Sequence, residues 1–143
     1  MGFQMQELKV ATWNVQGISL RGVWKREAKS VAKFAEEKGW DAVLLSEADG
    51  VGVVWMGQDA ELTAIVHSEK AAVLLRGELL KRWCSDGQKN KLFRRLAAVK
   101  VDGVALVLFY MPVSSSEVAA VEEAREEVMA ALDWMGSDSG NNR

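Results

Sequence analysis

Leu8-Lys9-Val10-Ala11-Thr12-Trp13-Asn14-Val15-Gln16-Gly17 and, some thirty residues on, Asp41-Ala42-Val43-Leu44-Leu45-Ser46-Glu47 bracket the part of the chain that decides its fold. The first stretch is rich in β-formers and turns at Gln16-Gly17. The second is a short unbroken apolar run, the pattern of a strand covered on both faces. Between them, Trp24, Ala28, Val31, Ala32 and Ala35 recur at helical spacing and predict an amphipathic helix from about Val23 to Lys38. Lys25, Lys29, Lys33 and Glu36 lie off that stripe, and Gly39 is placed to end the helix. Strand, helix and strand in this order predict a parallel pair whose carboxyl ends share one edge of a sheet. Open α/β sheets place their ligands at that edge. Asn14 and Glu47 then stand side by side there, and a carboxylate beside a neutral amide suits a hard cation such as Mg2+.

Working outward, Val51–Trp55 and Leu62–Val66 read as further strands joined through Gly57-Gln58-Asp59, with Lys70–Leu75 the next core strand. His67 reads as a turn residue, and Ser85–Lys91 as a polar loop. Arg95–Val101 and Val104–Phe109 flank Asp102-Gly103, a two-residue hairpin signal. The second of these strands runs into Tyr110-Met111-Pro112. Ser114 with Glu117 forms a capping-box signature for a last helix. Val118, Val121, Val128, Ala131, Leu132 and Met135 make its apolar stripe, with Gly136 as its expected C-cap. Glu122, Glu123, Glu126 and Glu127 read as its solvated face, and Trp40 as a core plug.

Composition bounds the class. The 143 residues are 49% hydrophobic and 27% charged, enough for one domain with a core. A single cysteine, Cys84, excludes an internal disulfide and fits a reducing compartment. No apolar run is long enough for a membrane helix, and neither a signal peptide nor other targeting signal is read, so an intracellular protein with no membrane partner is expected. The net charge of −2 conceals a division: Arg76–Lys100 holds eight basic residues against two acids, and Glu117–Arg143 seven acids against two arginines. The basic block offers a phosphate-contacting surface; the bland alternative is a solvated loop beside a solvated acidic helix.

Thr12-Trp13-Asn14-Val15-Gln16-Gly17-Ile18, the strand ending in Ser46-Glu47, and Tyr110-Met111-Pro112 together resemble the endonuclease/exonuclease/phosphatase superfamily, in the flavour of apurinic-type and retrotransposon-encoded endonucleases. The resemblance implies an α/β fold, the N-terminal portion of a four-layer α/β sandwich, read here as one mixed β-sheet with two main helices. It implies a Mg2+ (or Mn2+) ion at Glu47 and Asn14, and catalytic roles for Asn14, Glu47 and Tyr110, the tyrosine hydroxyl facing the substrate phosphate. DNA is the implied partner, and the nucleus the implied location for a retroelement endonuclease. The Asp-x-Asn and Ser-Asp-His motifs of a complete member are not found, and Gln16 stands where some members carry an acid. Residues 1–143 are therefore expected to form a single, incomplete domain. Its one sheet would expose an apolar inner face, to be covered by self-association or a second chain. Three functions stay open: metal-dependent phosphodiester hydrolysis of DNA, an inactive remnant serving as a binding module, and a phosphomonoesterase or lipid phosphodiesterase of the same superfamily.

Overall fold

Strand β1 (Val10–Asn14) and strand β2 (Ala42–Ser46) run parallel, with Asn14 opposite Ser46, and α1 (Lys25–Lys38) lies between them in sequence. This is the strand–helix–strand unit expected from the sequence. The computed structural model describes residues 7–14, 25–47, 52–58, 61–110 and 118–140, so the turn at Gln16-Gly17, Met111-Pro112 and the Ser114–Glu117 capping box lie outside the described residues. Helix α1 ends in a Schellman motif: Gly39 at φ 73, with Trp40 N–H donating to the Ala35 carbonyl. Val31, Ala32 and Ala35 are buried as their spacing predicts. Phe34 then bridges Trp13 and Trp40, at 5.2 and 5.6 Å between ring centroids, and seats the helix on the sheet.

Strands β3 (Gly52–Gln58), β4 (Glu61–His67) and β5 (Ala71–Arg76) complete a five-stranded mixed sheet in the order β1-β2-β5-β4-β3. β5 pairs antiparallel with both β2 and β4, and Ala71 to Leu75 are fully buried. His67 is the last residue of β4 and only 1% exposed. It is not the turn residue its sequence context suggested; pairing with Ala72 carries the strand through it.

A second sheet follows. α2 (Gly77–Ser85) starts directly where β5 ends, and β6 (Lys89–Phe93), β7 (Leu96–Val101) and β8 (Val104–Phe109) form an antiparallel meander. The segment read as a polar loop, Ser85–Lys91, is thus the end of one helix and the start of a strand. Leu92, the residue that follows it, packs against the core between the sheets. Asp102 and Gly103 both have positive φ, 49 and 82, as a type I′ hairpin demands.

The two sheets pack face to face. Ala42, Val66, Val73 and Leu75 from the first meet Ala97, Val99 and Val101 from the second, with Leu79, Leu80 and Trp83 of α2 filling the space over β4 and β5. On the far side of the first sheet, α1 covers Val43, Leu45, Ile65 and Leu74. On the far side of the second, α3 (Val118–Gly140) lays Ala131, Val128 and Trp134 on Leu96 and Ala98. The architecture is a layered α/β sandwich: helix, sheet, sheet, helix.

Three expectations are corrected. The described residues form two sheets and three helices, not one mixed sheet with two main helices. The inner sheet face is covered by the chain's own β6–β8, so the apolar surface that called for a second chain is already buried. α3 also continues past Gly136 to Gly140; a glycine ends a helix only where the backbone turns left-handed, and Gly136 is not among the positive-φ glycines.

Leu74 is fully buried between α1 and the sheet. Leu74→Ala is expected to lower unfolding stability by about 3 kcal/mol in urea with an unchanged slope. A loss below about 1 kcal/mol would mean that this layer collapses around the cavity instead of holding its packing.

Candidate functional site at the carboxyl edge of the parallel pair

Asn14 ends β1 and Glu47 follows β2, so parallel pairing delivers both to one rim. The Asn14 amide nitrogen donates to Glu47 Oε2 at 2.5 Å. Residues paired across a sheet share a face, so Asn14 lies on the side of Ser46, and simple alternation would send the next side chain to the other side. Glu47 instead adopts φ 57, in the left-handed region. That turn swings its carboxylate back to the amide. A non-glycine residue in this region costs on the order of 1–2 kcal/mol, and such outliers cluster at functional sites.

Tyr110 reaches the same rim by another route. Ser46 pairs with Ala71, the first residue of β5. The turn before it is tied to the second sheet: Lys70 N–H and Ser68 Oγ both donate to the Arg94 carbonyl, at 3.0 and 3.3 Å. Next along, the Tyr110 N–H donates to the Arg95 carbonyl at 2.8 Å. Asn14, Glu47, Lys70 and Tyr110 therefore stand on one edge of the sandwich. All three sequence-predicted site residues are on that edge, and the structure joins two of them by a hydrogen bond.

The donor set is small. Glu47 offers a carboxylate and Asn14 an amide carbonyl oxygen, both hard donors of the kind Mg2+ prefers. Among the described residues no three His, Cys, Asp or Glu side chains converge as a metal cluster. One carboxylate and one amide oxygen are donors that a Mg2+ keeping most of its waters would accept, and Glu47 and Asn14 are the residues that would hold it.

The basic block of 76–100 does not form one phosphate-facing surface. The strands carry it to both edges of the sandwich, separated by about 17 Å for five residues of rise. Arg76 donates to the Trp40 carbonyl and Arg82 pairs with Asp102 at 2.8 Å, both at the edge opposite Glu47. Lys89 meets Asp86 at 3.7 Å. Lys100 is buried at 3%, donates to the carbonyls of Trp134 and Met135, and lies 4.7 Å from the Trp134 ring centroid. Only Arg94 and Arg95 stay near the rim, and both are engaged by acids.

Those acids come from α3. Arg95, buried between the second sheet and the helix, pairs with Glu123, and its backbone N–H donates to Glu127 at 2.8 Å. Arg94 reaches Glu69 and Glu123 at 3.3 and 3.6 Å. Glu123 and Glu127 are therefore not part of a purely solvated face; Glu127 is only 7% exposed. The hydrogen bond from Arg95 holds the Glu123 carboxyl below the usual glutamate value of 4.5. Burial pushes the Glu127 carboxyl above it, against the opposing hydrogen bond from the Arg95 amide.

These shifts act on stability in opposite senses. The contribution from Glu123 is present above pH 4.5 and is lost as pH falls through its lowered folded value. The fold instead favours protonated Glu127, an advantage lost as pH rises through its raised value. Glu123→Gln should therefore lower the thermal midpoint at neutral pH, and the gap to the unsubstituted chain should close as pH drops below 4.5. A gap that stays constant across that range, followed by circular dichroism, would rule out the charged pair as its source. No protein-family model matches this chain, and no curated protein or solved structure matches it either.

Proposed function

We propose that the chain carries a divalent-metal-dependent phosphodiester-hydrolysing site of the endonuclease type, acting on DNA. The observation that carries this reading is the Asn14–Glu47 hydrogen bond, formed at the carboxyl edge of a parallel pair by a carboxylate in a left-handed backbone conformation. The motif resemblance places the same two residues in an active site, and the layered α/β sandwich is the architecture it implies.

In this reading Glu47 holds Mg2+ or Mn2+, with Asn14 beside it as orienting group and second donor. The cation supplies Lewis-acid polarisation of a phosphoryl oxygen. The Asn14 amide fixes the carboxylate by donating to one oxygen, so that its orientation does not have to be selected at each binding event. Tyr110 adds a phenolic hydroxyl at the rim, a neutral donor suited to charge developing on a phosphoryl oxygen.

One observation favours a second reading, a binding module without turnover. Arg76, Arg82, Lys89, Arg94, Arg95 and Lys100 are all engaged within the fold. That leaves little of the basic block to grip a DNA backbone, and the retroelement-type substrate rests on the motifs alone.

Calorimetric titration with Mn2+ separates the readings at the first step. Glu47→Ala should abolish binding, and Asn14→Ala should weaken it by about tenfold, as loss of an orienting partner does. Nicking of supercoiled plasmid in Mg2+, stopped by EDTA and absent in Glu47→Ala, supports the hydrolase. Mn2+ binding without nicking supports the binding module. Mn2+ isotherms that are the same for the unsubstituted and Glu47→Ala chains overturn the site.

A further inference from the structure

On the proposed metal site as its foundation, we infer that Lys70 is the cation that receives the phosphoryl group at this rim, with Tyr110 as its neutral companion. The antiparallel register pairs Ser46 with Ala71. Glu47 follows Ser46 and Lys70 precedes Ala71, so both leave the strand pair at the same edge of the sheet. Ser46 and Ala71, as a strand pair, lie about 5 Å apart, so the segments that carry Glu47 and Lys70 start from neighbouring places on the rim. The Lys70 N–H is bound to the Arg94 carbonyl at 3.0 Å, which ties its backbone to both sheets at once.

Among the described residues, the arginines near this edge are engaged. Arg94 is shared between Glu69 and Glu123, and Arg95 is closed in by Glu123 and Glu127. Lys70 is half-buried, and no ion pair among the described residues involves its ammonium. Glu47, which leaves the neighbouring strand at the same edge, is held by Asn14. An ammonium at an edge whose carboxylate is already held by a neighbour is placed to meet an anionic group from outside the fold.

The chemistry of that group follows from what lines the rim. Glu47 and Asn14 present oxygens for a cation, whereas Lys70 and Tyr110 present N–H and O–H donors for an anion. A ligand that bridges the two must carry anionic oxygens and tolerate a divalent ion beside them. A phosphate ester meets both conditions. Lysine acts here as a point charge and so needs no fixed fork geometry.

The test uses the full chain and a fluorescein-labelled DNA duplex, followed by anisotropy from about 50 to 200 mM KCl with Mn2+ present. Lys70→Met is expected to weaken binding several-fold and to reduce the slope of log K against log salt by about one. Lys70→Arg should keep the slope. Lys33→Met, which removes an exposed cation from α1, should leave both quantities unchanged. Circular dichroism melting of each variant controls for folding. Unchanged affinity and slope in Lys70→Met, alongside lost Mn2+ binding in Glu47→Ala, would overturn the role of Lys70 and leave the metal site standing. A chain that binds neither Mn2+ nor the duplex overturns the site reading and this inference with it.

Discussion

Both faces of β5 must be kept from water, and the rest of the molecule is arranged around that requirement. Ala71-Ala72-Val73-Leu74-Leu75 has no polar residue to turn outward. Full burial of one aliphatic side chain is worth roughly 1.5–3 kcal/mol, so leaving either face of this strand exposed would forfeit several such contributions. α1 covers Leu74 and Ala72 on one side, and β7, β8 and α2 cover Val73 and Leu75 on the other. β2 and β4 are held at the flanks of β5, and β2 in turn holds β1. The candidate site is a consequence: it lies where the buried strands run out and their ends reach solvent.

At that rim the backbone departs from the ordinary. Glu47 sits at φ 57 without the freedom of glycine, and Asn14 reaches its carboxylate. The packed β1–β2 pair beneath it offsets the strain, since Val43 and Leu45 anchor the strand two and four residues earlier. Asp102, in the β7–β8 hairpin, shares this backbone region, but only at Glu47 does the turn bring a carboxylate onto the amide of a neighbouring parallel strand. Asparagine or glycine would occupy the Glu47 position at lower cost.

Charge is the second organising term. The basic stretch and the acidic helix that follows it are complementary surfaces of one fold. Arg95 meets Glu123 and Glu127, Arg94 meets Glu69 and Glu123, and Lys100 caps carbonyls within α3. A buried arginine left without its acids would be strongly destabilising, so these contacts fix where α3 lies on the second sheet more than they add net stability. The consequence for function is a subtraction. Six of the eight cations that the basic stretch offers along the sequence are engaged within the fold.

Local patterns carried a good deal of this in the sequence alone. The strand–helix–strand unit, the pairing of Asn14 with Glu47 at one edge, the Asp102-Gly103 hairpin and the burial of Val31, Ala32 and Ala35 all follow from short-range periodicity and turn chemistry. Those signals act within a few residues, where backbone sterics and alternation leave few choices. β6 and α2 were not legible. Lys89-Asn90-Lys91 has a strand's geometry only because β7 offers it a ladder, and the helix at Gly77 begins without a side-chain cap. The burial of His67 and Glu127 and the dispersal of the basic block were equally beyond it, because each depends on which distant element supplies the partner. That the inner sheet face is covered from within the chain was decided by tertiary packing, since sheet-on-sheet contact joins residues some twenty to sixty positions apart and leaves no local trace.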